Sequence, residues 1–250
     1  MWWPLMQSAI TESDKQALIN FISTSDRYTC GPKVKEFEDA WSKWLGCKHS
    51  LFVTSGSGAN FLLLASIKEK YQIPNGSKVL VPACTWVTNV APVFQLGLEP
   101  VFCDVDLETY SFDMDTLPED DVRIVFITHL LGLNSPVEQL KKKYPNAIFL
   151  EDICESHGVK AHNGMKRGST GLGATFSFYY GHHMTTIEGG MICTDNEDLY
   201  ELMKIKRSHG MARLLSPHLY KEAIENHPDI DPAFLFLTDG YNFRNTELNA

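Results

Sequence analysis

Residues 51–70 read LFVTSGSGANFLLLASIKEK, and this stretch decides the fold class. An apolar run at 51–54 is followed by the small residues of 54–60 and by a helical pattern over 58–70. Small side chains at such a turn let backbone N–H groups approach a phosphate at the positive end of a helix dipole. The turn lacks the lysine of a nucleoside-triphosphate loop and the spacing of a dinucleotide fingerprint. A phosphate site and an ordinary Gly-Ser turn are therefore the two interpretations.

The same alternation of short apolar runs and longer segments continues along the chain. Further runs rich in Val, Ile and Phe lie at 78–81, 99–105, 123–128, 147–150, 174–179 and 190–194. Helical or looped stretches separate the runs, at 58–70, 86–95, 136–143 and 197–208. Two helices are predicted before the first run, one over 11–23 that opens with a capping box and one over 33–46. This pattern predicts an α/β fold with a mostly parallel sheet covered by helices on both faces.

Composition excludes several classes of protein. The 250 residues are 44% hydrophobic and 21% charged, which is not a disordered, collagen-like or coiled-coil composition. A net charge of -9 argues against nucleic-acid or membrane-surface partners. No run approaches the ~18 apolar residues of a membrane span, and the apolar opening at 1–6 lacks the features of a signal peptide. The six cysteines have no metal-binding spacing, so we expect reduced thiols, no metal and a cytoplasmic location.

Ligands of such sheets bind beyond the carboxyl ends of the strands, so the residues after each run are candidate site residues. Trp86 follows the second run and would either stack on a flat heterocycle or belong to the core. Glu151 and Asp152 follow the fifth run. A carboxylate there would either keep a pyridinium nitrogen protonated or cap a helix.

Residues 175–191 read TFSFYYGHHMTTIEGGM and contain two adjacent histidines between strand-like runs. Packing alone does not explain such a pair followed by Glu-Gly-Gly. A metal site is disfavoured, because no further ligand recurs at the required spacing and adjacent side chains diverge. General acid–base catalysis by one histidine is the preferred interpretation.

Taken together, the motifs resemble the nucleotide-sugar aminotransferase family, fold type I enzymes that use pyridoxal 5'-phosphate (PLP). The likeness covers nearly the whole chain, with CGPKVKEFE (30–38), SGSGA (55–59), VPACTW (81–86), ED (151–152), TTIEGG (185–190), RSHG (207–210) and GYNFR (240–244). The resemblance implies that residues 1–250 form the PLP-binding large domain, with an N-terminal helical arm over about 1–30. It also implies that a smaller C-terminal domain is absent from this chain, either because the sequence is a fragment or by natural truncation.

The resemblance assigns the cofactor phosphate to backbone groups of Ser57 and Gly58 and to the hydroxyl of Ser177. Asn242 would reach the phosphate of a partner subunit, so the family implies a homodimer with shared active sites. Trp86 would stack on the pyridine ring.

Two carboxylates have implied roles beside the same ring. Asp152 would pair with the pyridine nitrogen, and Glu155 would lie near the ring hydroxyl.

One departure from the family pattern decides the predicted chemistry. Family aminotransferases carry a lysine six residues before the glutamate of Glu-Gly-Gly, and here the residue six before Glu188 is His182. Imidazole cannot form the stable covalent bond that a lysine amine makes with the cofactor, so ordinary amino transfer is disfavoured. The same His-His substitution marks a branch of 3-dehydratases that make 3,6-dideoxy sugars. The resemblance to that branch makes His182 the catalytic acid–base and gives His183 no separate role.

This branch implies a two-stage reaction in deoxysugar and surface-polysaccharide biosynthesis. Glutamate first converts PLP to pyridoxamine 5'-phosphate. The 3-hydroxyl of a nucleotide-linked 4-keto-6-deoxyhexose is then eliminated, and hydrolysis releases ammonia. A second type in the branch uses an iron–sulfur cluster. Cys154 matches its first ligand, but no cysteine follows 207–210, so the cluster-free type is favoured. Two alternatives stay open: a nucleotide-sugar 4-aminotransferase with an unusual base, and a truncated cofactor-binding remnant without catalysis.

Overall fold

The framework of the computed structural model, which describes residues 4, 6–7, 9–119 and 121–250, is a seven-stranded sheet. Its strands are β1 (His49–Val53), β2 (Lys78–Pro82), β3 (Glu99–Cys103), β4 (Val122–Thr128), β5 (Ile148–Asp152), β6 (Gly173–Ser177) and β7 (Gly190–Thr194). Their order is β1-β7-β6-β5-β4-β2-β3, and β7 runs antiparallel to the other six strands. Each predicted run overlaps one strand, and the mostly parallel sheet is confirmed.

Among the described residues, seven α-helices precede, connect or follow these strands. They are α1 (Glu12–Thr24), α2 (Pro32–Leu45), α3 (Gly56–Lys70), α4 (Ala91–Gln95), α5 (Val137–Lys143), α6 (Glu197–Lys206) and α7 (Pro217–Asn226). The capping box of α1 is present, since the Thr11 hydroxyl accepts from Asp14 N–H at 3.3 Å and the Asp14 carboxylate accepts from Thr11 N–H at 2.8 Å. Helix α7 was not predicted, although a proline after Ser216 is a typical helix start.

The N-terminal predictions fall partly outside the described residues. Residues 1–3 and 5 of the apolar opening are not among them, and the described part of the predicted arm contains α1. Across the described residues, no helix combines the length and apolar character needed to cross a bilayer.

Helices cover both faces of the sheet, as predicted. Successive side chains of a strand point to opposite faces. On β4, Phe126 packs in the same cluster as Leu63 of α3, whereas Val125 packs on the other face with Leu140 of α5. Trp41 of α2 belongs to a cluster on that second face. Each fully buried leucine or phenylalanine contributes about 1.5–3 kcal/mol to stability, so this two-sided core holds the strand ends in place.

A buried ion pair joins two of the motif segments. Glu38 Oε1 accepts hydrogen bonds from the N–H of Phe52 at 2.9 Å and from Arg207 Nη1 at 2.7 Å. The same Arg207 nitrogen donates to the carbonyl of Phe52 at 2.8 Å. These contacts tie α2 and the end of α6 to β1, so this glutamate and arginine have a structural role.

One edge of the sheet collects the residues of interest. The carboxyl ends of β1, β2, β4, β5 and β6 meet there, and β7 starts there because it runs in the opposite direction. The turns that follow β1, β2 and β5, and the loop between β6 and β7, are therefore neighbours in space.

Candidate active site

A cavity of about 1380 Å³ opens at this edge of the sheet. Its walls come from the turns after β1, β2, β4, β5 and β6, with Pro4, Met6 and Gln7 from the N-terminal segment. Six of the predicted site residues line it together: Ser57, Trp86, Asp152, Glu155, Ser177 and His182. The two others, Gly58 and Asn242, are not among the described residues that line it. The roles assigned to all eight remain predictions.

The turn after β1 is shaped by helix capping and by close approach to other strands. Ser55 is the N-cap of α3, and its hydroxyl accepts from the N–H of Gly58 at 3.0 Å. A Cβ atom on Gly56 would lie 2.7 Å from the Cβ of Ser177 and 3.0 Å from the Sγ of Cys154. Only glycine lets the turn pass this close to the ends of β5 and β6. The start of α3, with its positive dipole end, consequently faces the cavity.

A chain of buried hydrogen bonds fixes Asp152 in the cavity wall. Asn60 Nδ2 donates to Asp152 Oδ2 at 2.9 Å, and the N–H of Cys154 donates to Asp152 Oδ1 at 2.8 Å. The hydroxyl of Thr175 in turn donates to Asn60 Oδ1 at 2.6 Å, which orients the amide. Sequence reasoning missed both Asn60 and Thr175. The available signal was a polar residue at a buried position of an otherwise apolar helix.

The neighbouring Glu151 points away from the cavity. Its Oε2 lies 3.1 Å from Nε2 of His129, and its Oε1 accepts from the N–H and hydroxyl of Thr170 and the N–H of Gly171. Burial alone raises the pKa of Glu151, but the hydrogen bonds from His129 and Thr170 outweigh it and lower that pKa to about 2. Of the two adjacent acids, Asp152 is therefore the one available to a ligand in the cavity.

His182 is presented by a tight turn after β6. Its N–H donates to the carbonyl of Tyr179 at 3.0 Å, and its ring packs edge-on against the Tyr179 ring at 5.7 Å. Nδ1 of His182 is buried and finds no hydrogen-bond partner among the described residues. Within the described residues, no group of three or more His, Cys, Asp or Glu side chains is arranged to hold a metal ion.

Three further side chains complete the wall around His182. Trp86 is 65% exposed and opens onto the cavity. Ser177 is buried, and its hydroxyl accepts weakly from the N–H of Tyr179 at 3.3 Å. Oε2 of Glu155 is buried and has no partner in the described part of the chain. The cavity thus combines a flat aromatic surface, a hydroxyl, carboxylates and an imidazole.

Asn242 lies elsewhere on the surface. It is exposed, and its backbone forms a bridge with Ser208. An exposed position leaves its side chain available to another molecule.

Comparisons with known proteins agree with this geometry. The sequence model of the DegT/DnrJ/EryC1/StrS aminotransferase family matches residues 9–250. The chain is 33% identical over 255 residues to GDP-4-keto-6-deoxy-D-mannose 3-dehydratase of Escherichia coli O55:H7 (strain CB9615 / EPEC), covering 99% of this chain and 65% of that protein.

Solved structures of a similarly named enzyme have the same fold. A variant of GDP-4-keto-6-deoxymannose-3-dehydratase with bound GDP-perosamine matches with a TM-score of 0.89 and 32% identity, covering 99% of this chain and 65% of that one. A structure of this dehydratase with a trapped PLP-glutamate geminal diamine matches with a TM-score of 0.84 and 29% identity, over the same shares of the two chains. The chain therefore spans slightly less than two thirds of the relatives it matches.

Proposed function

Because this chain belongs to the DegT/DnrJ/EryC1/StrS aminotransferase family, we propose that it is the PLP-binding large domain of a nucleotide-sugar 3-dehydratase. Its substrate would be a nucleotide-linked 4-keto-6-deoxyhexose, and the names of the relatives favour the GDP-linked mannose derivative. The observation that carries the proposal is the imidazole of His182. It lines the cavity six residues before Glu188, where family aminotransferases have a lysine.

The residues of the cavity fit PLP. Two buried polar atoms, Oε2 of Glu155 and Nδ1 of His182, have no hydrogen-bond partner among the described residues, so a ligand could supply one. Gly56 keeps open a cradle beside Ser177 that a Cβ atom would fill. When bound in its amine form, the cofactor would supply an electron sink that stabilises negative charge on the carbon that bears the amine.

Each group would bind or orient one part of that cofactor. Asp152, already held by two hydrogen bonds, would keep the ring nitrogen protonated. The hydroxyl of Ser177 and backbone groups of Ser57 and Gly58 would hold the phosphate at the start of α3. Trp86 would cover one ring face and Glu155 would meet the ring hydroxyl.

His182 would carry the protons of the elimination. Histidine is the side chain that gains and loses a proton near neutral pH, so one imidazole can serve both as base and as acid. We infer that it removes a proton from the carbon bonded to the cofactor's amine and then donates one to the departing 3-hydroxyl, which leaves as water. Glutamate would supply the amine, and hydrolysis would release it as ammonia.

We also infer that the active protein is a cytoplasmic homodimer whose sites draw on both subunits. Helix α1 has no buried residue and exposes Leu18, Ile19 and Ile22, which supports a partner surface there. The exposed side chain of Asn242 supports a contact across the dimer. All six cysteines are free thiols, which supports a reducing compartment.

Ammonia release tests the proposed activity. The protein would be incubated with PLP, glutamate and GDP-4-keto-6-deoxymannose, and ammonia and sugar products would be quantified. We expect one ammonia for each 3-deoxy-4-keto sugar. His182→Asn should abolish both products because an amide cannot exchange the proton, whereas the exposed His162→Asn should not.

Three outcomes would contradict the dehydratase. A stable 4-amino sugar would indicate an aminotransferase. PLP binding without turnover by a longer chain that includes the C-terminal domain would indicate a non-catalytic remnant. A reduced adduct on one specific lysine after treatment of the PLP-loaded protein with borohydride would show covalent attachment, which this proposal excludes.

A further inference from the structure

A second histidine lies beneath the turn that carries His182. His157 follows β5 and sits in an aromatic cluster, with ring-centroid distances of 5.5 Å to Trp41, 5.7 Å to Phe176 and 5.6 Å to Phe178. All three contacts are T-shaped, with interplanar angles of 73°, 62° and 65°. Packing against three rings fixes the imidazole relative to the sheet.

That ring makes two contacts with the segment that presents His182. It stacks on the ring of His183 with centroids 5.4 Å apart and planes 29° apart. It also packs edge-on against the ring of Phe178, the residue that follows β6. His157 therefore contacts Phe178 and His183, and between these two residues the chain turns and presents His182.

We propose that His157 is a positioning residue: it anchors the His183 ring and the end of β6 together and thereby sets the place of the His182 imidazole in the cavity. This inference rests on the proposed function of His182. It assigns a role to His183 as well, since that ring is the contact through which the turn is held. Adjacent side chains diverge, so one histidine of the pair can face the cavity centre while the other is anchored.

The electrostatics of the cluster suit this role. Burial, together with the neighbouring imidazoles of His183 and His182, lowers the pKa of His157 to about 3. At neutral pH the anchoring ring is uncharged, so it does not repel an adjacent imidazole that takes up a proton. Its Nε2 is buried and finds no partner among the described residues, which is compatible with a neutral ring.

Ring signals in cofactor-free protein test the anchoring directly. Long-range ¹H–¹⁵N NMR would follow the imidazoles of His182 and His183 in His157→Ala, which loses both contacts. His157→Phe keeps a ring that can stack on His183 and pack against Phe178. We expect both ring signals to move in the alanine variant and the phenylalanine variant to restore part of the wild-type positions.

Trp41→Leu is the matched control, because it loosens the same aromatic cluster but leaves the contacts of His157 with Phe178 and His183 in place. If the His182 signal is unchanged in His157→Ala, or moves equally in Trp41→Leu at equal loss of stability, the positioning role is overturned. This readout needs no turnover, so it decides the inference even where the proposed dehydratase activity fails.

Kinetics provide a second readout where turnover is observed. His157→Ala should lower kcat about 2- to 10-fold with little change in KM, the range expected for loss of one aromatic contact. Because His157 acts through His183, adding His183→Ala should cost little more. Fully additive losses would overturn the proposal.

Discussion

At position 182, the choice between a lysine amine and an imidazole decides how a cofactor aldehyde can be held. An amine condenses with the aldehyde, whereas an imidazole leaves it free and can only exchange protons. In this structure the ring of His182 lines the cavity that also contains Asp152 and Trp86. Under the proposed function, the cofactor would be held without a covalent bond, and the imidazole beside it would exchange protons.

His182→Lys should restore covalent attachment of PLP. We expect a new absorption band on addition of PLP, and borohydride reduction followed by peptide mapping should locate the link at residue 182. The exposed His162→Lys serves as the control and should give neither signal. Absence of the band in His182→Lys would mean that residue 182 does not face the cofactor.

The buried Glu151 predicts an acid-dependent loss of stability. Its pKa is lowered to about 2 from the ordinary value of 4.5. As the pH falls, Glu151 therefore takes up a proton at a higher pH in the unfolded chain than in the folded protein. The stabilisation is fully present above pH 4.5 and is lost as the pH falls through about 2. A shift of this size corresponds to roughly 3 kcal/mol.

Glu151→Gln should remove that contribution. Urea unfolding from pH 2 to 7 should show a lower free energy of unfolding for the variant at pH 7 and a shallower decline toward acid. Glu222→Gln, an exposed change on α7, should follow the wild-type profile. If the free energy of unfolding falls equally steeply with pH in wild type and Glu151→Gln, Glu151 is not the source of the acid-dependent loss of stability.

At the scale of the element, helix α2 is capped by a side chain from a distant part of the sequence. Its N-cap, Gly31, has no side chain to accept the first N–H groups. Instead the carboxylate of Glu247 accepts from the N–H of Lys33 at 3.0 Å and of Val34 at 3.1 Å. A negative charge at a helix N-terminus also interacts favourably with the positive end of the helix dipole. Helix α2 therefore depends on a residue more than two hundred positions away.

Glu247→Ala should destabilise the protein by about 2 kcal/mol, because two N–H groups lose their acceptor. Glu247→Gln keeps one oxygen and should cost less. Chemical unfolding would measure both, with Glu222→Ala as an exposed control. A loss for Glu247→Ala no larger than that control would show that water caps the helix equally well.

The loop between β6 and β7 is held by the same C-terminal segment. Asn245 Nδ2 donates to the carbonyls of Val53 at 3.0 Å and Glu188 at 3.2 Å, and Asn249 Nδ2 donates to the carbonyl of Thr186 at 2.7 Å. These hydrogen bonds fix the C-terminal end of the loop that carries His182. Residues 245–249 thus belong to the support of the candidate site.

At the scale of the whole molecule, the proposed dimer predicts complementation between inactive subunits. If Asn242 of one subunit serves the site of the other, a heterodimer of His182→Asn and Asn242→Ala has one intact site and one doubly altered site. Random subunit exchange makes half of the dimers heterodimers, so about a quarter of wild-type sites should be active. Ammonia release from the mixture would measure this recovery.

The matched control mixes His182→Asn with Asp152→Asn. Both residues line the cavity of one subunit, so every heterodimer site carries one defect and no activity should return. No recovery in the first mixture, although mass measurement shows heterodimers, would contradict the sharing of sites. Recovery of ammonia release in both mixtures would mean that the recovered activity does not depend on shared sites.

Local patterns were sufficient for much of the fold. The seven apolar runs and the helices α1, α2, α3 and α6 follow from side-chain periodicity, capping and small-residue turns, which act within a few residues of each other. Helix α7 was not predicted, because its N-cap serine makes no side-chain cap bond and only Ala223 of the helix is buried. Of the site, the gathering of six residues at one sheet edge followed from the parallel topology.

By itself, the sequence determined the α/β class, the family and the imidazole at position 182, because these depend on residue type and order. Only the tertiary structure decided which of two adjacent acids faces the cavity. Strand alternation sends Glu151 and Asp152 to opposite sides, and the choice was made by Asn60 and Thr175 on one side and His129 and Thr170 on the other. It likewise decided that Glu247 caps α2 and that His157 stacks on His183. Such contacts join residues distant in the chain, and packing in three dimensions alone brings them within hydrogen-bonding distance or ring contact.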